Sequence, residues 1–167
     1  MKKLCALFLA LALLLSVCAF AEEAEAAPEE PVAAPDFPLT DWEGEEILFS
    51  DLLGKPLLLN IWATWCPPCR NELPFFQQAF EKYGEEITFA FVSVDEDKAD
   101  VEEFLTENGY TFPVYMDTLS SSLMTYGIGS IPVTVLIDAE GNIIAGQIGS
   151  LSEELVQLCM EMLLGDA

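Results

Sequence analysis

Trp62-Ala63-Thr64-Trp65-Cys66-Pro67-Pro68-Cys69 is the stretch that decides how this chain reads. An apolar run from Pro56 to Trp62 leads into it, and an amphipathic segment from Arg70 to Tyr83 leads out. That is the pattern of a buried strand feeding a helix through a Cys-x-x-Cys turn. Cysteine can act as nucleophile, leaving group and electron carrier, and two of them one helical turn apart can close a small, readily opened ring. Cys66 falls where the free N–H groups and dipole of a helix N-terminus favour a thiolate.

Three chemistries compete for such a motif. A structural disulfide has no need of the preceding strand or of two tryptophans. A zinc half-site needs two further ligands. The chain has no histidine, and outside the motif and the N-terminal apolar run its only cysteine is Cys159, so no metal site is expected. Dithiol–disulfide exchange fits the placement between strand and helix.

Asn60-Ile61-Trp62-Ala63-Thr64-Trp65-Cys66-Pro67-Pro68-Cys69 resembles the active-site segment of the thioredoxin superfamily, and most of all that of the extracytoplasmic TlpA/ResA-type thiol-disulfide oxidoreductases. The resemblance runs from about Asp36 to the C-terminus. It implies an α/β thioredoxin fold, three-layered around a central mixed sheet, with an N-terminal β-hairpin. The passage from Lys98 to Met116 is the inserted helix-strand element of this type. It also implies a redox-active disulfide, Cys66–Cys69, in place of any cofactor. Clients are proteins bearing disulfides, for some members apocytochrome c before haem attachment.

Roles then follow residue by residue. Cys66, nearer solvent, attacks a partner disulfide; Cys69, one turn along and more buried, resolves the mixed disulfide. Pro67 and Pro68 lack N–H groups, so two donors that could stabilise the Cys66 thiolate are missing. A less stabilised thiolate makes a better reductant; Pro68 also starts a helix well. Superfamily members usually carry a buried carboxylate where this chain has Asn60. Glu72, three residues after Cys69 on the same helix face, could relay a proton in its place, or could simply complement the helix dipole. The resemblance makes Pro132 a cis proline facing the motif, with the edge at Ile131 pairing with substrate backbone. Trp65 is expected to shield the sulfurs and contact partners, Trp62 to pack in the core, and Cys159 to be a buried inert thiol. Arg70 reads as a surface residue.

The remaining segments frame this domain. Lys2-Lys3, the apolar run Leu4 to Ala21 and the small-x-small Ala19-Phe20-Ala21 read as a signal peptide over 1–21. An uncleaved anchor or lipidation at Cys18 are alternatives. Residues 22–35, acidic and rich in Ala and Pro, read as a disordered spacer, and 36–167 as the thioredoxin-like domain. Losing Lys2 and Lys3 takes the formal charge from −23 to −25, which excludes nucleic-acid binding and disfavours anionic membrane surfaces.

Within the domain, short strands are expected at 37–40 and 47–49, and a single turn at 50–54. Longer strands follow at 57–62 and 87–94, with a helix at 98–108 that turns Val101, Phe104 and Leu105 inward, a strand at 112–116 and a short helix at 120–126. A hairpin at 133–148 precedes a final helix capped by Ser152, its inward face carrying Leu155, Leu158, Cys159 and Met162. Pro74 is expected to kink the helix after the motif.

The expected function is thus an exported, monomeric thiol-disulfide oxidoreductase, acting as a protein-disulfide reductase and fed by a membrane electron-donor thiol protein. An oxidase or isomerase would use the same residues. A thiol peroxidase fits less well, and a non-enzymatic acidic module with a structural disulfide stays open.

Overall fold

The computed structural model describes residues 31–165. The expected signal segment, and the spacer as far as residue 30, lie outside the described residues. Seven strands form one mixed sheet in the order β2-β1-β5-β4-β3-β6-β7. They are β1 Pro38–Thr40, β2 Glu46–Leu48, β3 Leu57–Trp62, β4 Thr88–Ser93, β5 Val114–Met116, β6 Val133–Ile137 and β7 Ile143–Ile148. Four α-helices accompany them: α1 Pro67–Tyr83, α2 Lys98–Asn108, α3 Ser121–Tyr126 and α4 Glu153–Leu164, with a 3-10 turn at Phe49–Leu52.

The apolar run Leu57–Trp62 is buried at every position, as a strand covered on both faces must be. It pairs parallel with β4 and antiparallel with β6. The connections β3–α1–β4 and β4–α2–β5 join parallel neighbours and advance in one direction. Right-handed crossovers therefore place α1 and α2 on the same face. The even-numbered side chains of β3 meet them there: Asn60 bonds Glu72 of α1, and the Trp62 ring lies 5.7 Å from Phe104 of α2. Phe76 and Phe80 of α1 pack edge-on against Phe91 and Phe89 of β4. Elsewhere Phe37 stacks on Phe49 at 4.8 Å and meets Tyr126, tying the hairpin and the 3-10 turn to α3.

Most expected elements appear within a residue or two of their expected ends, and three details differ. Val32 to Ala34 lie in the segment read as spacer, yet they pair with the turn of the last hairpin and the start of β7. Ala34 N–H donates to Gly141 O, Ile143 N–H to Val32 O, and Ala33 bridges Asn142. Backbone pairing is indifferent to the Ala/Pro composition that suggested disorder. On α4 the inward residues are Val156, Met160 and Leu163, while Leu155 and Leu158 face solvent and Cys159 and Met162 are half-buried. So many of its positions are apolar that the pattern fits several registers. Leu105, expected inward on α2, is only half-buried. Pro74 lies within α1, and the helix runs on past it to Tyr83.

Candidate active site

Cys66 is the N-cap of α1, with extended backbone angles, and Pro67 and Pro68 fill its first two helical positions. Proline is at home there because those N–H groups have no partner within the helix. Cys66 and Cys69 are joined in a disulfide, with Cα atoms 5.3 Å apart. The Cys69 N–H donates to Cys66 Sγ at 3.3 Å. Cys69 is fully buried, whereas Cys66 keeps 4 % of its surface exposed. The sulfur open to a partner is that of Cys66.

The Ile131–Pro132 peptide bond is cis and leads directly into β6. It carries the Ile131 carbonyl to 3.9 Å from Cys66 Sγ. Trp65, Cys66, Pro67, Val94, Leu123 and Ile131 line part of a cleft of about 550 Å³ beside the disulfide. Trp65 is 65 % exposed at its rim, whereas Trp62 is wholly buried. Sequence reasoning placed both tryptophans, the prolines and Ile131 at or behind one site, and the fold brings them there.

Behind the disulfide sits a buried carboxyl. Glu72 has no exposed surface. Its Oε1 accepts from Asn60 Nδ2 at 2.9 Å, and its Oε2 accepts the Leu151 N–H at 2.7 Å. Burial pushes its pKa up from 4.5 to about 7, against the lowering effect of those two hydrogen bonds. Glu72 is therefore poised to exchange a proton near neutrality, one helical turn from Cys69. Across from it on α4, Cys159 is a free thiol, pushed up to about 11 by burial and by the Glu72 charge. It stays un-ionised at neutral pH. Arg70 is exposed, its guanidinium 5.2 Å from the centre of the Phe104 ring.

Three contributors were not singled out from the sequence. Asp95, 3 % exposed, accepts from the Thr64 N–H, the Thr64 hydroxyl and the Ser93 hydroxyl. It thereby pins the loop that enters the Cys-x-x-Cys turn to the end of β4. Thr134, opposite Asn60 in the β3–β6 register, receives a second bond from Asn60 Nδ2 at 3.1 Å. Leu151 contributes only its backbone N–H. A strand-ending Asp two residues after a Ser was the one available signal, and it points equally to an ordinary turn.

Comparison with known proteins agrees with this geometry. The AhpC/TSA family matches residues 32–145. The thiol-disulfide oxidoreductase ResA of Bacillus thuringiensis strain Al Hakam is 37% identical over 126 residues, covering 74% of this chain and 72% of that protein. ResA of Bacillus subtilis strain 168 is 34% identical over 131 residues, covering 78% and 73%. Among solved structures, the thiol:disulfide interchange protein DsbE from Chlorobium tepidum superposes with a TM-score of 0.73 at 28% identity, covering 83% of this chain and all of that one. A disulfide at the N-terminus of a helix, a cis proline opposite it and relatives of this closeness lead to one assignment: the chain belongs to the AhpC/TSA family of the thioredoxin superfamily, among the ResA-type thiol-disulfide oxidoreductases.

Proposed function

We propose that this oxidoreductase works outside the cytosol as a protein-disulfide reductase. In this reading the Cys66 thiolate attacks a client disulfide. One client sulfur leaves as thiolate, and a mixed disulfide forms between Cys66 and the other. Cys69 then attacks Cys66 Sγ, the second client thiol departs, and the Cys66–Cys69 disulfide remains. An upstream thiol protein at the membrane restores the dithiol by the same exchange in reverse. No cofactor beyond the cysteine pair enters the cycle, and the acting unit is the monomer. Trp65, Pro67, Pro68, Ile131 and Pro132 form the surface that receives the client, and Glu72 exchanges the proton of Cys69.

The observation that carries the reducing direction is the donor set on Cys66. With prolines at the next two positions, Cys69 supplies the backbone N–H that reaches its sulfur. A thiolate with few donors is a weaker leaving group, and its dithiol is the better reductant. Export is supported by Lys2-Lys3 and the apolar run to Ala21. The full chain with a C-terminal tag, expressed with Cys69→Ser, is expected to accumulate mixed disulfides with clients that dithiothreitol dissolves. Cys66→Ser is expected to trap none. Redox titration of wild type is expected to give a potential nearer thioredoxin's, at roughly −270 mV, than a strong oxidant's, at roughly −120 mV. A value at the oxidising end would favour the oxidase reading instead.

A further inference from the structure

The hydrogen bonds around Glu72 can be completed in two ways. As the structure stands, Asn60 Nδ2 donates both to Glu72 Oε1 and to Thr134 Oγ1, and the Leu151 N–H donates to Glu72 Oε2. Asn60, Glu72 and Thr134 are all buried. Asn60 Oδ1, equally buried, has no hydrogen-bond partner among the described residues. A carboxylate only accepts, so this arrangement satisfies the ionised form of Glu72. It does not serve the neutral acid, whose O–H needs an acceptor and meets an N–H on either side.

We propose that Asn60 is a positioning residue whose side-chain amide turns end for end when Glu72 takes up a proton, bringing Oδ1 to the place of Nδ2. Turned, Oδ1 accepts from the Glu72 O–H and from the Thr134 hydroxyl, which donates as readily as it accepts. The Leu151 N–H stays on Oε2. The number of hydrogen bonds is the same in both states. Nδ2 gives two in one and Oδ1 receives two in the other, and the atom left without a partner changes from Oδ1 to Nδ2. Because each orientation leaves one polar atom unpaired at similar cost, neither is locked. That suits a group that must both take and release a proton. Leucine at position 60 would offer no bond, and aspartate would bring a proton of its own.

Among the described residues the other titratable group acting on Glu72 is the Cys159 thiol on α4, since Cys69, one turn back on α1, is held in the disulfide. Strands β3 and β6 present the neutral Asn60 and Thr134, and the segment before α4 presents the Leu151 N–H. The charge on Glu72 is therefore answered by the amide rather than by a fixed cation. The consequence for catalysis rests on Glu72 being the proton acceptor of the thiol cycle. The turn itself is read without any client, so its failure and the failure of the redox reading are separate results.

The test follows the Asn60 side-chain amide by 1H–15N NMR in the oxidised full-length protein, from about pH 5 to about pH 9. Both Nδ2 protons are expected to move together from hydrogen-bonded to unbonded positions as pH falls through the Glu72 midpoint. In Glu72→Gln, whose own amide presents an N–H to Asn60, the low-pH pattern is expected at every pH. A static amide keeps its bond to Thr134, so a shift of one proton alone, or of neither, overturns the proposal. Asn60→Leu supplies a second reading. Loss of a bond to the charged form outweighs loss of one to the neutral form, so the Glu72 midpoint is expected to rise by about one pH unit. An unmoved midpoint would make Asn60 a space-filling residue and overturn the proposal. If Asn60→Leu does not fold, the wild-type spectrum decides alone.

Discussion

The Leu151 N–H donates to Glu72 Oε2 at 2.7 Å, across 79 positions of sequence. This bond joins the approach to α4 with the first turns of α1, and with Asn60 it fixes a carboxyl where water does not reach. Burial raises the pKa of that carboxyl to about 7, and the two bonds only moderate the rise. The direction sets the pH dependence of stability. Between 4.5 and about 7 the unfolded chain releases this proton while the folded chain holds it. Folding stability contributed by Glu72 is thus full below 4.5, falls through that window and is lost above it, a difference of about 3 kcal/mol at most. Glu72→Gln removes the dependence. Its stability relative to wild type is expected to grow from pH 4 to pH 8 in urea unfolding of the oxidised proteins. A gap that stays constant across that range would mean an ordinary carboxyl.

The prolines of the motif make a second case. Pro67→Gly or Pro68→Gly restores an N–H close to Cys66 Sγ, beside the one that Cys69 already gives. One added bond to a thiolate is expected to lower the Cys66 pKa by about one pH unit. The couple should become more oxidising in the same variant. The greater freedom of the unfolded chain should also cost about 0.4–1 kcal/mol of stability. Thiolate absorbance, redox titration and urea unfolding separate the effects. A stability loss with neither redox change would leave helix initiation as the whole role of the prolines.

Asp95 holds the loop leading into the motif. Removing its carboxylate in Asp95→Ala leaves the Thr64 N–H and the hydroxyls of Thr64 and Ser93 without their acceptor. Buried donors left unpaired cost about 1–3 kcal/mol each, and partial relaxation brings the expected loss to about 2–4 kcal/mol. Asp95→Asn, which keeps an acceptor, should lose less. Disulfide exchange should slow in Asp95→Ala even under conditions where the protein is fully folded, because Trp65 and Cys66 follow directly on Thr64. Urea unfolding together with a stopped-flow exchange assay checks both. An Asp95→Ala protein as stable as wild type would show that the loop is held by other means.

What the sequence made legible was local. The apolar run, the cysteine spacing and the prolines all lie between Pro56 and Cys69, and they specify strand, turn and helix without help from the rest of the chain. Glu72 could be named because it lies one turn after Cys69. The pair that holds it could not be read in full, since Leu151 contributes only a backbone N–H that carries no signature in sequence. Asp95 looked like the end of a strand until the parallel pairing of β3 with β4 set it against Thr64. The face of α4 was misread because its apolar residues nearly encircle the helix, so period alone could not choose Val156 and Met160 over Leu155 and Leu158.

The kinetics of Glu72→Gln draw these points together. In the resolving step Cys69 must give up its proton as it attacks Cys66 Sγ, and a fully buried thiol ionises reluctantly. Asn60 stands where a superfamily member would keep its own buried acid, and it cannot accept that proton. Glu72 can, because burial places its pKa near 7, so that a substantial fraction is carboxylate at neutral pH and the proton can later be released. Glu72→Gln preserves shape and removes the acceptor. Initial attack by Cys66, which does not involve Glu72, is expected to proceed at the wild-type rate. Resolution of the mixed disulfide is expected to slow by roughly 10²-fold near pH 7, the usual scale for loss of one general base. The wild-type rate should climb with a midpoint near the Glu72 pKa, and the variant should lack that limb. At higher pH, where Cys69 ionises unaided, the two should converge. Stopped-flow turnover of a model disulfide across pH measures both steps. Equal resolution rates at every pH would leave Glu72 as a residue that serves the fold alone.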